Sequence, residues 1–470
     1  MKPQRAPHKA ARQPAWRRRF LQAGLAALGA GLLPLQPARA SALSQAKGAA
    51  MQWKNWSGIV SCTPKQIATP ASEAEIQQIC KSANLLRCAG SGHSFTPLAA
   101  SDAVLLSLDK MSGLLEVDSK NRLVRVKGGT RLFQLSRALD EHKLALPNLP
   151  DIDMQTICGA IATATHGAGA TLPALHAQVQ GFSLINGLGE KVRVDSGGTQ
   201  LLQAGRVALG ALGVISEVTL QVEPAFNLQR KVWLKPLEEM LKDAPQLAQK
   251  HRHFEFYYLP HTGYAAAIAH DLYQGQDVLM PPSQDEQMLA DLKRLRDWAG
   301  NFPNMRRWLA QKLIDPKLEE HAKNRSYKLL SNARPTRFNE SECHVPRKHG
   351  IDCLREIIAR LEQRNDVFFP LEFRFVKGDE AWLSPFYQRD SCSIAVHALA
   401  GEPYEYLVTE LGPIFRKYQA RPHWGKLHNF TPKELAALYP RWDDFLLLRK
   451  SMDPQGKFLT PYLKTLFGIA

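Results

Sequence analysis

The sequence predicts an α+β protein whose best-defined region lies within residues 60–225. Short apolar strands alternate there with two amphipathic helices, and glycine turns separate them. The 31 glycines and 30 prolines of the 470-residue chain agree with an architecture rich in turns. With 44% hydrophobic and 22% charged residues the composition is ordinary for a globular protein. Wholesale disorder, a coiled coil and a polytopic membrane protein are therefore disfavoured.

The first 40 residues are predicted to be an export signal. Basic residues 1–19 precede the apolar stretch Phe20–Leu35, and Ala38–Ala40 resembles a small-residue cleavage site. The stretch is shorter than the ~20 residues of a membrane span. Arg17–Leu21 fits the twin-arginine pattern, which directs export of folded proteins, often with a cofactor in place. We expect a mature chain from about Ser41 in the periplasm; the alternative is a disordered basic tail that runs into a core helix.

The net charge gives little support for nucleic-acid binding. Residues 1–40 contribute eight positive charges and no negative ones, which is half of the formal +16. Lys and Arg also crowd the stretch 293–337. That stretch is interpreted as a solvated face of helices and loops; the alternative is a docking surface for an acidic electron acceptor or an anionic membrane, with at most peripheral membrane contact.

The cysteine pattern disfavours a structural metal. The seven cysteines form no Cys-x-x-Cys motif and no Cys/His cluster at zinc spacing. Their odd number leaves at least one thiol unpaired or paired between chains. Disulfides are permitted in an oxidising compartment, but folding before export argues against a framework that depends on them. Cys80 and Cys158 are predicted to be small buried hydrophobic residues.

Local patterns predict the individual elements of residues 60–225. Ser72 with Glu75 forms a capping box at the start of one helix, and a second helix follows Thr130. Asn186–Gly189 predicts the turn of a β-hairpin. The predicted strands, including both arms of that hairpin, are Leu85–Cys88, Ala103–Leu108, Leu123–Val126, Val179–Ile185, Lys191–Asp195 and Val214–Val222.

Two glycine-rich segments are candidate ligand sites. In Cys88–Phe95, Gly90 and Gly92 leave backbone N–H groups free to form a nest for phosphate oxygens, although, taken alone, a tight surface turn is the better explanation. The segment lacks the third glycine of a dinucleotide fingerprint. Thr156–Gly169 carries almost no bulky side chain and no charge. Its backbone could lie flat against a large planar ligand, or it could be a close-packed helix or loop.

Four motifs occur in this order along the chain: Gly90–Phe95, Ala145–Asn148, Ala164–Gly167 and Arg421–Lys426. Together they resemble the FAD-dependent aldonolactone oxidases, which include gulonolactone oxidase, arabinonolactone oxidase and bacterial alditol oxidases. Further matches at Gly378-Asp379, Leu383–Pro385 and Arg389–Cys392 are closest to gulonolactone oxidase. The resemblance covers roughly residues 55–230 and 365–470.

The resemblance implies a two-part FAD-binding domain of the vanillyl-alcohol oxidase type and a cap domain with a mixed or antiparallel sheet. We expect the FAD-binding domain at 41–226, the cap or substrate domain at 227–425, and a C-terminal tail at 426–470 that returns to the flavin.

The resemblance also implies that FAD is joined covalently through His93, for which a plain loop histidine is the alternative. Such a bond holds the cofactor through export and raises its redox potential, which suits alcohol oxidation. The other residues expected to bind the cofactor are Gly90, Ser91, Gly92, Ser94, Thr156, Gly159, Thr163, His166, Gly167, Val214 and Ile215.

Catalytic candidates come from the C-terminal half. Leu371–Phe375 alternates with period two, so Glu372 and Arg374 project from one face as a partly buried pair, either structural or functional. The resemblance implies that the pair binds sugar hydroxyls beside the reactive carbon, with Arg374 placing the substrate oxygen and Glu372 orienting or assisting a base. Lys426 is expected to stabilise the anionic reduced flavin.

Two departures from the family pattern concern the base and the acceptor. Alditol oxidases carry a histidine at the position of Ala395, whereas here His397 lies two residues further on, as a base or as a packed strand residue. Pro150 and Asp151 replace a small residue and a serine. Pro150 would narrow or prop open the route of dioxygen, and Asp151 would bind a polyol or repel acidic substrates.

We therefore expect an exported flavoprotein that oxidises a sugar 1,4-lactone, such as arabinono- or gulono-1,4-lactone. Its electrons would pass to dioxygen or to an envelope acceptor such as a cytochrome. An alditol (polyol) oxidase or a strict dehydrogenase is the alternative on the same fold. A non-catalytic basic binding protein of the cell envelope, with a degenerate flavin fold, is the alternative from another class.

Overall fold

A computed structural model describes residues 52–469 except 198–199, 284, 316, 318 and 333. The predicted export signal at 1–40 lies outside the described residues. Within the described part of the chain, no helix combines the length and apolar character needed to cross a membrane.

The described chain contains twenty-one strands. They are β1 (Trp53–Lys54), β2 (Ser61–Cys62), β3 (Gln66–Ala68), β4 (Leu86–Ala89), β5 (Val104–Ser107), β6 (Leu114–Asp118), β7 (Leu123–Lys127), β8 (Leu144–Ala145), β9 (Gly169–Pro173), β10 (Val179–Ile185), β11 (Lys191–Val194), β12 (Val214–Gln221), β13 (Glu223–Pro224), β14 (Asn227–Pro236), β15 (His253–Leu259), β16 (Tyr264–Tyr273), β17 (Glu319–Arg325), β18 (Phe338–Pro346), β19 (Leu371–Lys377), β20 (Ser391–Leu399) and β21 (Arg421–Pro422).

The α-helices of the described residues are mostly short. They are α1 (Glu73–Ser82), α2 (Leu132–Glu141), α3 (Ile157–Ala162), α4 (Gln200–Arg206), α5 (Leu237–Lys250), α6 (Asp285–Ala299), α7 (Pro303–Leu313), α8 (Ser326–Leu330), α9 (Gly350–Leu361), α10 (Tyr406–Thr409), α11 (Gly412–Lys417), α12 (Pro432–Leu438), α13 (Trp442–Met452) and α14 (Pro461–Phe467). Two 3₁₀ turns lie at Leu175–Gln178 and Arg347–His349.

The N-terminal half confirms the predicted local elements. The side chain of Ser72 accepts a hydrogen bond from the backbone N–H of Glu75, so Ser72 caps α1 as predicted. The carboxylate of Glu75 accepts from the backbone N–H of Ala71. Helix α2 and strands β4, β5, β7 and β12 form at the predicted places, and β10 and β11 make the predicted hairpin. The segment Thr156–Gly169 forms the short helix α3 followed by a loop that leads into β9.

These elements form two main sheets. Strands β3, β5 and β4 make a parallel sheet in that order, and β11, β10, β12, β7 and β6 make an antiparallel one. The antiparallel sheet buries one face of β12, whose residues alternate between buried and partly exposed. The glycine turns that follow β4 and β7 lie close together, since Gly90 contacts Thr156 and Gly128 contacts Cys158.

The C-terminal half is built on one nine-stranded mixed sheet. Its strand order is β17-β14-β16-β15-β19-β20-β18-β21, and all of these neighbours pair antiparallel. Strand β9, from the N-terminal half of the chain, pairs parallel with β19. One large hydrophobic cluster runs from Leu98 to Phe467, so apolar packing is continuous between the two halves.

The C-terminal segment packs back on the N-terminal half. The buried guanidinium of Arg87 donates to the backbone carbonyls of Leu98, Leu209, Gly210 and Phe458. Lys457 Nζ donates to the carbonyl of Cys80 at 2.8 Å. Buried donors with several carbonyl acceptors are costly to remove, so these contacts fix the chain end against β4 and α1.

The basic stretch forms helices, a strand and loops, and the cysteines form no disulfide bond. Residues 293–337 supply the end of α6, helices α7 and α8, strand β17 and connecting loops. All seven cysteines are free thiols, and Cys80 is fully buried as predicted.

Candidate active site

A glycine-walled cavity lies between the sheets of the N-terminal half. It has a volume of about 1280 Å³ with its open mouth included. Its wall contains ten of the residues predicted to bind the cofactor: Gly90, Ser91, Gly92, His93, Ser94, Thr156, Gly159, Thr163, Val214 and Ile215.

Close backbone packing explains the glycines of this wall. A Cβ atom on Gly90 would lie 2.4 Å from Thr156 Oγ1, and one on Gly129 would lie 2.0 Å from the carbonyl oxygen of Leu108. Thr156 caps α3 by accepting from the N–H of Gly159 at 3.2 Å. The wall thus presents small residues and backbone to the cavity, which suits a large planar ligand with phosphates. The residues present fit FAD.

Sequence reasoning placed three residues of this region differently from the structure. His166 and Gly167, expected to bind the cofactor, do not line the glycine-walled cavity: His166 hydrogen-bonds Glu342 at 2.8 Å, and Gly167 packs against Leu149. Cys158, expected to be buried, is only partly buried because it lines the cavity. Gly128 and Gly129 were missed; the signal was the glycine pair directly after a strand.

His93 lies in the glycine-walled cavity with its imidazole stacked on Trp56. The ring centroids are 5.4 Å apart and the planes are inclined by 29°. Burial, together with the positive charges of Lys426 and Arg131, lowers the pKa of His93 to about 4. The imidazole is therefore neutral at physiological pH and keeps a nucleophilic lone pair.

A second cavity, the charged cavity, opens beside the first and measures about 1020 Å³ with its mouth. Gln155, His423 and Lys426 line both cavities, and we call this shared border the junction. Gln155 Oε1 and Thr165 Oγ1 are buried without a hydrogen-bond partner in the described part of the chain. Both line the charged cavity, so they are free to bind a ligand.

The register of the large sheet assembles the wall of the charged cavity. Residues directly opposite one another on neighbouring strands share a face of the sheet. Two such rows cross β15, β19, β20 and β18: Tyr257–Glu372–Ala395–Glu342, and Glu255–Arg374–Ser393–His344.

Arg374 is the centre of a buried charge cluster. Its guanidinium contacts Asp151 Oδ2 at 2.5 Å and Glu255 Oε2 at 2.6 Å, and it also pairs with Glu372. Arg334 adds a second positive charge, 2.9 Å from Asp151. The predicted buried pair of Glu372 and Arg374 is present, but Glu255 and Asp151 were not anticipated as its partners.

The cluster holds more carboxyl groups than guanidinium groups. The pKa values of its carboxyl groups therefore shift in opposite directions. Burial raises the pKa of Glu372 well above its usual range, and the charges of Asp151 and Glu255 add to this against the pull of Arg374. Burial also tends to raise the pKa of Asp151, but Arg374 and Arg334 outweigh it and hold this pKa below its usual range. Burial also raises the pKa of Glu255, although less than that of Glu372. Glu372 therefore has the strongest tendency of the three carboxyl groups to retain a proton. Asp151, tied to two arginines, presents no uncompensated charge to the cavity.

Lys426 reaches the junction from the loop after β21. Its ammonium pairs with Glu340 and lies 4.0 Å from Glu342 Oε2. Glu342 is itself held by His166 and by the hydroxyl of Ser393. The ammonium also lies 5.1 Å from the ring centroid of Phe95, directly after the glycine turn. These contacts orient a positive charge towards both cavities.

His397 lines the charged cavity one pleat away from Ala395. Its Nδ1 lies 3.0 Å from the carbonyl oxygen of Pro370, which fixes the N–H on that atom and leaves the lone pair on Nε2. Nε2 lies 3.7 Å from Glu340 Oε1. Burial lowers the pKa of His397, although Glu340 opposes this. His397 is therefore a neutral acceptor inside the cavity.

A dinucleotide-sized cavity that opens onto buried carboxyl, guanidinium and imidazole groups defines a flavin-dependent oxidoreductase. Residues 64–195 match the FAD binding domain family model, and residues 218–466 match the D-arabinono-1,4-lactone oxidase model. The chain belongs to the D-arabinono-1,4-lactone oxidase family of FAD-dependent oxidoreductases. The predicted family, cofactor and enzyme class are confirmed.

Curated relatives match almost over their full lengths. L-Gulono-1,4-lactone dehydrogenase of Mycobacterium tuberculosis is 35% identical, with 88% of this chain and 99% of that protein covered. L-Gulonolactone oxidase of Bos taurus is 31% identical, with 89% and 98% covered. Alditol oxidase of a Streptomyces species is 30% identical, with 88% and 98% covered.

Solved structures show the same fold at low identity. A solvent-stable cholesterol oxidase superposes with a TM-score of 0.73 at 17% identity, covering 89% of this chain and 97% of that one. The cholesterol oxidase of Brevibacterium sterolicum gives a TM-score of 0.72 at 16% identity, with the same coverage. The predicted α+β class with a vanillyl-alcohol oxidase-type FAD domain is confirmed.

The retained proton on Glu372 has a measurable effect on stability. The pKa of Glu372 is higher in the folded protein than in the unfolded chain, where it is about 4.3. The protein therefore has the full stabilising contribution at pH values below the unfolded pKa. This contribution is lost as the pH rises through the folded-state pKa. Glu372→Gln cannot ionise. We expect its Tm to equal that of the wild type near pH ~4 and to exceed it increasingly towards pH ~7.

Thermal unfolding of the FAD-loaded proteins across this pH range tests the expectation. Glu238→Gln is the matched control, since that side chain is 70% exposed and pairs only with Arg355 at the surface. A difference in Tm that is constant with pH, or that is shared by Glu238→Gln, would contradict a proton held by Glu372.

Proposed function

We propose that this protein oxidises the secondary alcohol of a sugar 1,4-lactone, such as arabinono- or gulono-1,4-lactone. One observation carries the proposal: the buried Glu372–Arg374 pair lines a cavity that meets the glycine-walled cavity at the junction. The names of the lactone-oxidising relatives support the same substrate class.

Substrate binding falls to the cluster around Arg374. Its guanidinium donates to a substrate oxygen, and Glu372, which keeps its proton, both donates to and accepts from a neighbouring hydroxyl. Tyr257, hydrogen-bonded to Asp151 at 3.0 Å, completes this wall. A neutral ring with several hydroxyl groups satisfies such a site without a charge of its own.

FAD in the glycine-walled cavity supplies the acceptor for the hydride from the substrate C–H bond. His397 receives the hydroxyl proton at Nε2, where its lone pair faces the cavity. Glu340 then stabilises the resulting imidazolium from 3.7 Å. Lys426 provides positive charge at the junction, where it would stabilise the negative charge of the reduced cofactor. Electrons leave to dioxygen or to an acceptor of the cell envelope.

Turnover of lactones by the mature, FAD-loaded protein tests the function. We expect activity with a sugar 1,4-lactone, measured in parallel as dioxygen uptake and as reduction of a dye acceptor. His397→Asn should lower kcat by about 10²–10⁴-fold with a small change in KM, since it removes a base and not a binding group. No turnover of any lactone or polyol with either acceptor would exclude the proposal.

The alternative on the same fold is an alditol oxidase or a strict dehydrogenase. The similarity to alditol oxidase and to L-gulono-1,4-lactone dehydrogenase supports this alternative. The charged cavity of about 1020 Å³ also has room for an open-chain polyol. Faster turnover of polyols than of lactones identifies the first, and dye reduction without dioxygen uptake identifies the second.

We further propose that the FAD is bonded covalently to His93. The neutral, partly buried imidazole in the wall of the glycine-walled cavity supports this. The wild type, denatured and run on a gel, should keep a fluorescent flavin band, whereas His93→Ala should lose it. His142→Ala, a change of another histidine, should keep the band. A colourless denatured wild type would overturn the covalent link.

Finally, we propose export of the loaded protein by the twin-arginine machinery, on the strength of residues 1–40. The full chain produced in a bacterial host should appear in the periplasm, and replacement of Arg17, Arg18 and Arg19 by Lys should retain it in the cytoplasm. Cell fractionation measures this, and equal periplasmic yield of both proteins would contradict it.

A further inference from the structure

One buried carboxylate serves two groups at the edge of the junction. The side chain of Glu340 is 5% exposed. Its Oε2 pairs with the ammonium of Lys426, and its Oε1 lies 3.7 Å from Nε2 of His397. Glu340 and His397 are direct cross-strand partners on β18 and β20, so the sheet register fixes their separation.

This geometry places a single negative charge between two groups that can both be positive. While His397 is neutral, Glu340 compensates Lys426, and the junction carries little net charge. Once His397 holds a proton, Glu340 is shared between imidazolium and ammonium. The positive charge of Lys426 is then no longer fully compensated, and in a site of low dielectric constant this difference is large.

The neighbouring carboxylate cannot perform the same role. Glu342 lies two residues along the same face of β18 and comes within 4.0 Å of Lys426. It is held instead by His166 Nε2 at 2.8 Å and by the hydroxyl of Ser393. Glu342 therefore provides a matched control inside the same strand.

We propose that Glu340 is a shared counter-ion of Lys426 and His397. When His397 takes up a proton, Glu340 compensates both groups, and the positive charge of Lys426 is then less fully compensated. The inference rests on the proposed function, in which His397 is the base. In that step the substrate O–H bond breaks and its proton moves to His397 Nε2, while the hydride of the C–H bond moves to FAD and the carbonyl forms. Positive charge thus becomes available at the junction in the same step in which the cofactor gains electrons.

The charged groups around His397 are few and identifiable. Glu340 and Lys426 face it from β18 and from the loop after β21, and Arg334 acts on it from the loop before β18. The backbone carbonyl of His397 accepts a hydrogen bond from the hydroxyl of Tyr406. Of these groups, Glu340 alone is negatively charged, and its carboxylate can compensate either His397 or Lys426.

Sulfite binding to the FAD-loaded protein, without substrate, tests the coupling, because its adduct places negative charge on the flavin. At neutral pH, Glu340→Gln should bind sulfite about tenfold more tightly than the wild type, since Lys426 loses its counter-ion. The ratio of the sulfite affinity of Glu340→Gln to that of the wild type should fall towards one as the pH decreases, because His397 of the wild type then takes up a proton. Titration of sulfite itself is common to both proteins and cancels.

Three further comparisons make the result decisive. In a His397→Asn background the ratio should stay high at all pH values; a ratio that still falls there reports protonation of Glu340 itself and overturns the coupling. Glu342→Gln should change sulfite affinity much less than Glu340→Gln, and an equal change also overturns it. Glu340→Asp retains the charge and should restore wild-type behaviour.

Sulfite affinity does not depend on turnover, so the two proposals can fail separately. A pH-independent ratio of Glu340→Gln to wild type overturns the shared counter-ion while lactone oxidation stands. Absence of lactone turnover with a pH-dependent ratio overturns the proposed function alone.

Discussion

The buried guanidinium of Arg374 is the interaction on which the charged cavity depends. It holds Asp151, Glu255 and Glu372 within one cluster. Without that positive charge, three buried carboxyl groups would lie together in a medium of low dielectric constant, which is strongly unfavourable. With it, the cluster stays compact, the raised pKa of Glu372 favours its protonated form, and the wall can bind hydroxyl groups through both donors and acceptors.

The site also depends on the meeting of the glycine-walled cavity and the charged cavity, which different parts of the chain form. The glycine-walled cavity arises from turns between short strands of the N-terminal half, and the charged cavity from cross-strand rows of the large sheet. Strand β9 pairs with β19, the strand that carries Glu372 and Arg374. Arg87 links the chain end to the N-terminal half, because its guanidinium donates both to the carbonyl of Phe458 and to three carbonyls of that half. Both contacts hold the C-terminal half against the N-terminal half.

Several parts of this picture could be predicted from local patterns. The helix cap at Ser72, the hairpin around Asn186–Gly189 and the glycine turn at Gly90 follow from short-range chemistry, and the structure contains each of them. The alternation in Leu371–Phe375 was enough to put Glu372 and Arg374 on one buried face, because side chains alternate along any strand. Family motifs extended this to the cofactor and the fold.

The partners of these residues could not be predicted in the same way. Glu255 lies on β15, far from Arg374 in sequence, and is its neighbour only through strand register. His166 belonged to a motif expected at the cofactor, yet its ring turns to Glu342 on β18.

The sequence by itself therefore determined the elements of residues 60–225, most of the glycine-walled cavity and the pair of Glu372 and Arg374, since each depends on residues close together in the chain. Tertiary structure alone decided which charges compensate one another, because electrostatic energy depends on distances of a few ångströms between strands that the chain order leaves far apart.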